Sequence, residues 1–463
     1  MPIDAVPAGK RFFIHTFGCQ MNESDSSRMA EALLRDGWAA AEAPDAADLI
    51  VLNTCAIREK AEAKVMSALG RYRLVRAQRG ARLGVAGCVA QAEKARLLER
   101  VPYLDFVLGP DQISELPRLA RATGAREART DFVGSEEYVF PRADPRGVGA
   151  QVSAFVTVMK GCDNVCSFCI VPHTRGREVS RPVPEVESEV ARLVAAGVRE
   201  VTLIGQNVNS YAGGCTFAEL VRRVAKVPGL QRIRFTTSHP QDLSPELMRA
   251  FAEVPLLMPH FHLPVQSGSS AVLERMRRRY TCDDYRAKIG SLRALVPDLA
   301  LTSDIIVGFP GETDQDFAAT MALVEELRFD NLYSFIYSPR PHTSAMRHLG
   351  EWGEVAREVA VRRLERLQAR QREISLEKNR AFVGRTVELL VEGPSRTDAA
   401  KRMGRTRWNQ VVNFEGLAPA GALAQVRVDA ASVVALSGVE RSHELPPVGV
   451  EPSHPSGRRL RVL

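Results

Sequence analysis

From residue 151 to about 345, short apolar runs and helical stretches alternate six times. Such alternation restricts a chain to a parallel sheet with helical crossovers on its faces, because parallel neighbours cannot be joined by tight turns. The strand-like runs are 155–160, 200–204, 232–237, 261–264, 301–307 and 332–337, with helical patterns such as 185–196 and 314–327 between them. Six units fall short of the eight that close a full barrel. A second alternation fills 11–123, with strand candidates at 11–15, 48–53, 82–86 and 104–108 and helical patterns near 25–35, 58–78, 93–100 and 113–122. Between the two, 124–150 scatters Gly, Pro, Arg and Asp with little periodicity and reads as a linker. A long charged helical pattern at 354–380 connects to β-rich runs at 386–391, 410–414 and 424–428, enough for a small antiparallel barrel over 381–445. The Pro-, Ser- and Arg-rich tail that follows Ser442 reads as disordered, 446–463 in particular. The expectation is a multidomain α/β chain divided at 11–123, 151–380 and 381–445.

With 463 residues, about three domains are expected. No run of about 18 uncharged apolar residues is present, so no membrane span is expected. The first ten residues lack the apolar core of a secretory signal, and a cytoplasmic protein is expected. In that compartment eight cysteines point to metal or redox chemistry rather than disulfides. A net charge of +7 suits a polyanionic partner, although many basic proteins bind no nucleic acid.

Cys162, Cys166 and Cys169 lie in the run Gly161-Cys-Asp-Asn-Val-Cys-Ser-Phe-Cys-Ile170. Three thiolates so close together can wrap one small iron-sulfur cluster, and three ligands on a four-iron cubane leave one iron open. Structural zinc is the competitor, but it takes four ligands, usually from two separated pairs, and no second pair exists here. Cys19, Cys55 and Cys88 are scattered, yet each follows the carboxyl end of an expected strand at intervals of about one β-α unit. Loops at those ends share one edge of an open α/β sheet and build its ligand site. Three buried, unligated thiols are the plain alternative. The matching strand-end placement favours a second cluster with an open iron. Cys215 and Cys282 lack partners at useful spacing and read as structural.

The cysteine loop and its continuation Val-Pro-His-Thr-Arg-Gly-Arg-Glu-Val-Ser-Arg-Pro182 closely resemble the MiaB-type tRNA methylthiotransferases of the radical S-adenosylmethionine (SAM) superfamily, and the resemblance covers 11–440. It implies that 151–380 is an open (β/α)6 partial barrel and that 381–445 is an RNA-binding TRAM barrel. It also implies two [4Fe-4S] clusters, one on Cys162, Cys166 and Cys169 and one on Cys19, Cys55 and Cys88. In that family SAM chelates the open iron through its amino and carboxylate groups, and an electron from the cluster cleaves the sulfonium to a 5′-deoxyadenosyl radical. A second SAM gives a methyl group to sulfur at the N-terminal cluster. The implied reaction is 2-methylthiolation of N6-(dimethylallyl)adenosine next to the tRNA anticodon. The implied partners are tRNA, an electron donor such as a flavodoxin-type protein and a sulfur donor, with the enzyme itself a monomer.

By loop position the resemblance points SAM to Gly205, Gln206, Asn207, Ser238, Gln266, Ser267 and Asp304, with Gly308 and Gly311 allowing close backbone approach. His239 and His262 divide evenly between that role and a structural one. Arg175, Arg177 and the run Arg275, Arg277, Arg278 and Arg279 are either a solvated face or a path for tRNA phosphates. In the last segment Lys401, Arg402, Arg405 and Arg407 would meet the RNA backbone while Trp408 stacks on a base; Phe414 reads as core. Rival readings are a methylthiotransferase for threonylcarbamoyladenosine in tRNA or for a ribosomal-protein aspartate, and a non-catalytic iron-sulfur RNA-binding protein. Asp163 and Asn164 stand against the ribosomal version, whose cluster loop tends to be basic.

Overall fold

The computed structural model describes residues 9–55, 59–124, 126–134, 137–140 and 151–445, the side chains of 59–63 excepted. The final stretch of the expected linker and the tail 446–463 lie outside the described residues.

The first domain is a six-stranded parallel sheet of β1 (Arg11–Thr16), β2 (Ala39–Ala40), β3 (Leu49–Thr54), β4 (Arg82–Gly87), β5 (Phe106–Leu108) and β6 (Glu127–Arg129), in the order β2-β1-β3-β4-β5-β6. Central β3 reads Leu-Ile-Val-Leu because both its faces are covered. Leu49 and Val51 pack with Met29, Leu33 and Leu116 on one side. Ile50 and Leu52 pack with Val65, Leu69 and Leu97 on the other. Strand order reverses between β1 and β3, and such a switch point opens a crevice at the carboxyl edge of the sheet. Residues 127–129, expected in the linker, instead form the edge strand β6 against β5. Their polar sequence, Glu-Ala-Arg, gives no strand signal because an edge strand at the rim needs little apolar surface.

The second domain contains β7 (Ser153–Thr157), β8 (Met159–Lys160), β9 (Val179–Ser180), β10 (Glu200–Ile204), β11 (Arg232–Phe235), β12 (His260–His262), β13 (Ala300–Val307) and β14 (Asn331–Ile336). Six parallel strands follow one another in chain order as two halves, β7-β10-β11 and β12-β13-β14, bridged at Ile233 and Leu257. Val201, Leu203, Ile233, Phe235, Phe261, Leu301 and Ile305 pack outward under the helices. The alternate positions, among them Arg232, Arg234, His260, His262, Thr302 and Asp304, face the hollow of the open barrel. The run 155–160 is divided after Thr157, since Met159 and Lys160 leave the barrel to pair antiparallel with Ser180 and Val179. That ribbon brackets the cysteine loop.

Helix Arg357–Arg380 lies along β14 and leads to a closed five-stranded barrel, β15 (Thr386–Pro394), β16 (Arg402–Thr406), β17 (Val411–Glu415), β18 (Leu423–Ala431) and β19 (Leu436–Glu444), in the order β15-β16-β17-β19-β18. Phe414 is fully buried in its core, as expected. Strands β16 and β19 carry no apolar run, and their positions come from the strands they pair with rather than from their own composition. No helix among the described residues is long and apolar enough to cross a membrane.

Candidate functional site

Cys162, Cys166 and Cys169 occupy the loop between β8 and the helix Val171–Arg175, at the carboxyl end of the barrel. Gly161 enters the loop at a φ of +76°, and a side-chain carbon there would stand 1.9 Å from the Arg177 carbonyl oxygen. Ser167 pins the middle of the loop: its N–H donates to Met276 O at 3.0 Å and its hydroxyl to Arg275 O at 2.7 Å. Burial pushes the Cys162 thiol up to about 11 and the Cys169 thiol up to about 12. Thiols this costly to ionise alone become thiolates when a metal supplies the countercharge. Arg278, itself buried, donates to Cys166 Sγ at 3.3 Å.

Around this loop the positions expected to hold SAM divide. Gln206 accepts a hydrogen bond from the Gly161 N–H, tying the β10 loop to the cysteine loop. Gly205 presses on Met159, where a side-chain carbon would come 2.5 Å from Met159 Cγ. Asn207 donates to Asp242 at 2.7 Å and leaves its buried Oδ1 without a partner. Ser238 Oγ and His239 Nε2 are also buried and unpartnered. Burial, with help from Arg278, holds His239 neutral with a pKa of about 2. Three orphaned polar atoms at the ends of β10 and β11 fit a polar cofactor, because native interiors rarely leave such groups unsatisfied. Asp304 lies 3.6 Å from His262 Nε2 on the barrel wall. Gln266 and Ser267 serve the scaffold: Gln266 bridges to β13 through its backbone, and the Ser267 hydroxyl is shared between Thr320 and the Ser269 N–H.

The other thiols gather at the crevice of the first sheet. Cys19 caps the helix Gln20–Arg35 after β1, Cys55 follows β3, and Cys88 opens the helix Cys88–Glu93 after β4. These three strands are neighbours. Gly18, at a φ of +115°, runs so near that a side-chain carbon would come 2.2 Å from Cys55 Cβ. A hydrogen bond from Cys55 and the Arg175 charge hold the Cys19 thiol down, to about 6, while burial pushes Cys88 up. Among the described residues no three His, Cys, Asp or Glu side chains close on a single ion. Cysteines of a cubane bind separate irons and need not converge that tightly.

Arg175 is not a surface group for phosphates. It is buried, with Nε on Cys88 Sγ at 3.3 Å, one terminal nitrogen 3.0 Å from Asn22 and the other 2.7 Å from Asp25. A guanidinium that only five residues of chain separate from Cys169 thus ends at a thiol of the other domain. On the far side of the loop, Lys160 is buried against Asp111 at 2.5 Å and lies 3.8 Å from the centre of the Tyr138 ring. Arg275 bonds Gly311 O, while Arg277 and Arg279, both at positive φ, turn outward around the inward Arg278. Arg177 is exposed and paired with Asp163.

In the last domain, Lys401 faces Glu415 at 3.5 Å, Arg402 is half-buried in β16, and Arg405 pairs with Glu392 at 2.8 Å. Arg232 donates to Arg405 O at 2.7 Å; Arg234 donates to Thr406 O at 2.8 Å and Arg407 O at 3.0 Å. Trp408 packs on Phe382 and donates to Asp298 at 3.1 Å. The hairpin therefore closes the amino-terminal end of the open barrel, opposite the cysteine loop. Trp408 belongs to that contact instead of standing free for a base; of the group only Arg407 is exposed.

Comparison with known proteins covers all three parts. Residues 11–109 match Uncharacterized protein family UPF0004, 156–324 the Radical SAM superfamily, and 380–433 the TRAM domain. The tRNA-2-methylthio-N(6)-dimethylallyladenosine synthase of Anaeromyxobacter dehalogenans (strain 2CP-C) is 61% identical, over 94% of this chain and 95% of its own. That of Myxococcus xanthus (strain DK1622) is 59% identical, over 96% of each. That of Geobacter metallireducens is 50% identical, over 90% of this chain and 96% of its own. Among solved structures, the radical S-adenosylmethionine methyltransferase TsrM from Kitasatospora setae superposes with a TM-score of 0.55 at 15% identity, over 74% of this chain and 78% of that one. At that identity the likeness concerns the fold alone.

Proposed function

The chain belongs to the family of tRNA-2-methylthio-N(6)-dimethylallyladenosine synthases, and we propose that it converts N6-(dimethylallyl)adenosine beside the tRNA anticodon to the 2-methylthio nucleoside, using SAM and two [4Fe-4S] clusters. The observation that carries this reading is Arg175, which follows Cys169 closely in the chain and puts its guanidinium on the Cys88 sulfur of the first domain. Cys162, Cys166 and Cys169 would hold one cluster with an iron left open for SAM, and Cys19, Cys55 and Cys88 the other. When bound, SAM and the clusters supply the one-electron chemistry that removes hydrogen from an unreactive aromatic carbon.

The chain's own groups do the placing. Asn207, Ser238 and His239 present unpaired polar atoms that would take the amino, carboxylate or ribose groups of SAM. Asp304, held near His262, would accept from ribose or the amino group. Gln206 keeps the SAM loop in register with the cysteine loop. Arg277 and Arg279 beside that loop, with Lys401, Arg402 and Arg407 on the TRAM barrel, would meet tRNA phosphates. A flavodoxin-type electron donor and a sulfur donor would complete the cycle.

Mass spectrometry of tRNA nucleosides from cells with and without the gene tests this reading. Loss of 2-methylthio-N6-(dimethylallyl)adenosine with accumulation of N6-(dimethylallyl)adenosine is expected. An unchanged nucleoside profile would refute the substrate.

A further inference from the structure

Each thiol set carries one buried arginine with an N–H on one sulfur, Arg175 on Cys88 and Arg278 on Cys166, both at 3.3 Å. Both arginines are buried, with relative exposures of 5% each. What anchors the rest of each group differs. Arg175 is paired with the buried Asp25 carboxylate at 2.7 Å, so its charge is largely cancelled. Arg278 is held by the Tyr280 hydroxyl at 2.9 Å and the Pro264 carbonyl at 3.0 Å, both neutral. No carboxylate among the described residues forms an ion pair with it.

We propose that this difference in charge routes the reducing electron: the uncompensated Arg278 makes the cluster at Cys162, Cys166 and Cys169 the easier one to reduce, while Asp25 keeps the cluster at Cys19, Cys55 and Cys88 harder to reduce by neutralising Arg175. The inference rests on the two-cluster reading above. Cluster potential follows net charge, hydrogen bonds to sulfur and burial. A cation in a poorly screened interior favours the state that carries the extra electron, and a neutral ion pair does so far less. Glu178 opposes the effect, since it faces Cys162; it is half-buried and already accepts from the Asp163 N–H and the Ser210 hydroxyl, and water screens it. The step is a one-electron reduction of one cluster by an external one-electron reductant, with no protein bond made or broken. Its use is plain: an electron is productive only where SAM waits at an open iron.

The test is a mediated dithionite titration of the reconstituted full-length chain, followed by electron paramagnetic resonance. Signals are assigned from variants with Cys162, Cys166 and Cys169, or Cys19, Cys55 and Cys88, replaced by alanine. The Cys162 cluster is expected to reduce first. Arg278→Gln should shift its potential downward, and Asp25→Asn should shift the other cluster's upward, narrowing or inverting the order. Should Arg278→Gln not retain iron, Arg278→Lys, which keeps the charge, should preserve the order, and Asp25→Asn tests the idea independently. Reduction of the Cys19 cluster first in the unaltered chain, or potentials unmoved by Asp25→Asn, would overturn the proposal. Iron for one cluster instead of two would instead defeat the two-cluster reading, and the routing with it.

Discussion

Replacing Arg234 with methionine probes the contact between the barrel and the TRAM hairpin. The side chain is 5% exposed, and its Nε lies 2.9 Å from Glu200, itself 6% exposed. Its terminal nitrogens supply hydrogen bonds to Thr406 O and Arg407 O. Methionine fills much of the volume but leaves Glu200 buried without its ion-pair partner, Arg407 O without its donor and Thr406 O, which also accepts from the Asn409 N–H, with one donor fewer. Removing one partner of a buried pair costs about 3–5 kcal/mol. At about 1.4 kcal/mol per tenfold, that is roughly two to three and a half orders of magnitude in the opening equilibrium. Hydrogen exchange with mass spectrometry reads it locally: amides of β10 and β11, and those of 402–411, should lose protection together. The double variant Glu200→Met with Arg234→Met removes the stranded charge and should recover much of the barrel's protection. Loss in β10 and β11 with an unchanged TRAM hairpin, or no loss in either, would refute the idea that the hairpin is held as a plug.

Cys55→Ala should lower bound iron by about one cluster's worth and abolish methylthio product while some SAM cleavage persists at the other site; equal loss of both activities would refute the division of labour. Gly161→Ala should prevent cluster loading, measured by iron content and visible absorbance, because the added carbon meets the Arg177 carbonyl at 1.9 Å. Gly197→Ala, also at positive φ but with open space around it, should cost only roughly 1–2 kcal/mol and load normally. His15, held down to about 4 chiefly by burial, stays neutral in the fold while the unfolded chain protonates it near 6.5. The unfolded state therefore binds more protons between those values, and the stability present above pH 6.5 is lost as pH falls toward 4. His15→Phe should flatten the thermal midpoint of the apo-protein over that range.

The sequence carried strands with continuous apolar runs, such as Leu49–Thr54, and the strand-end placement of Cys19, Cys55 and Cys88. It concealed Arg402–Thr406 and Leu436–Glu444, whose backbones complete a barrel while their side chains look like loop. Local charge was the poorest guide. Arg175 and Arg278 sit among exposed arginines in the chain, yet both turn inward, because their destinations come from segments far away in sequence: Asn22, Asp25 and Cys88 for one, Pro264 and Cys166 for the other. Trp408 misled for the same reason, its partner Asp298 being 110 residues distant.

Lys160 and Arg175 flank the cysteine loop on either side, and both hide their charge in the first domain, against Asp111 and Asp25. Inheritance of this protein is constrained accordingly. A recombination event that grafted residues 151–345 onto a foreign leading domain would bring two stranded cations to the rim of the site, each as costly as a broken buried pair. The reciprocal graft would strand two carboxylates. The first two domains are thus a single heritable unit, and the cysteine loop is the seam along which neither half can be exchanged alone.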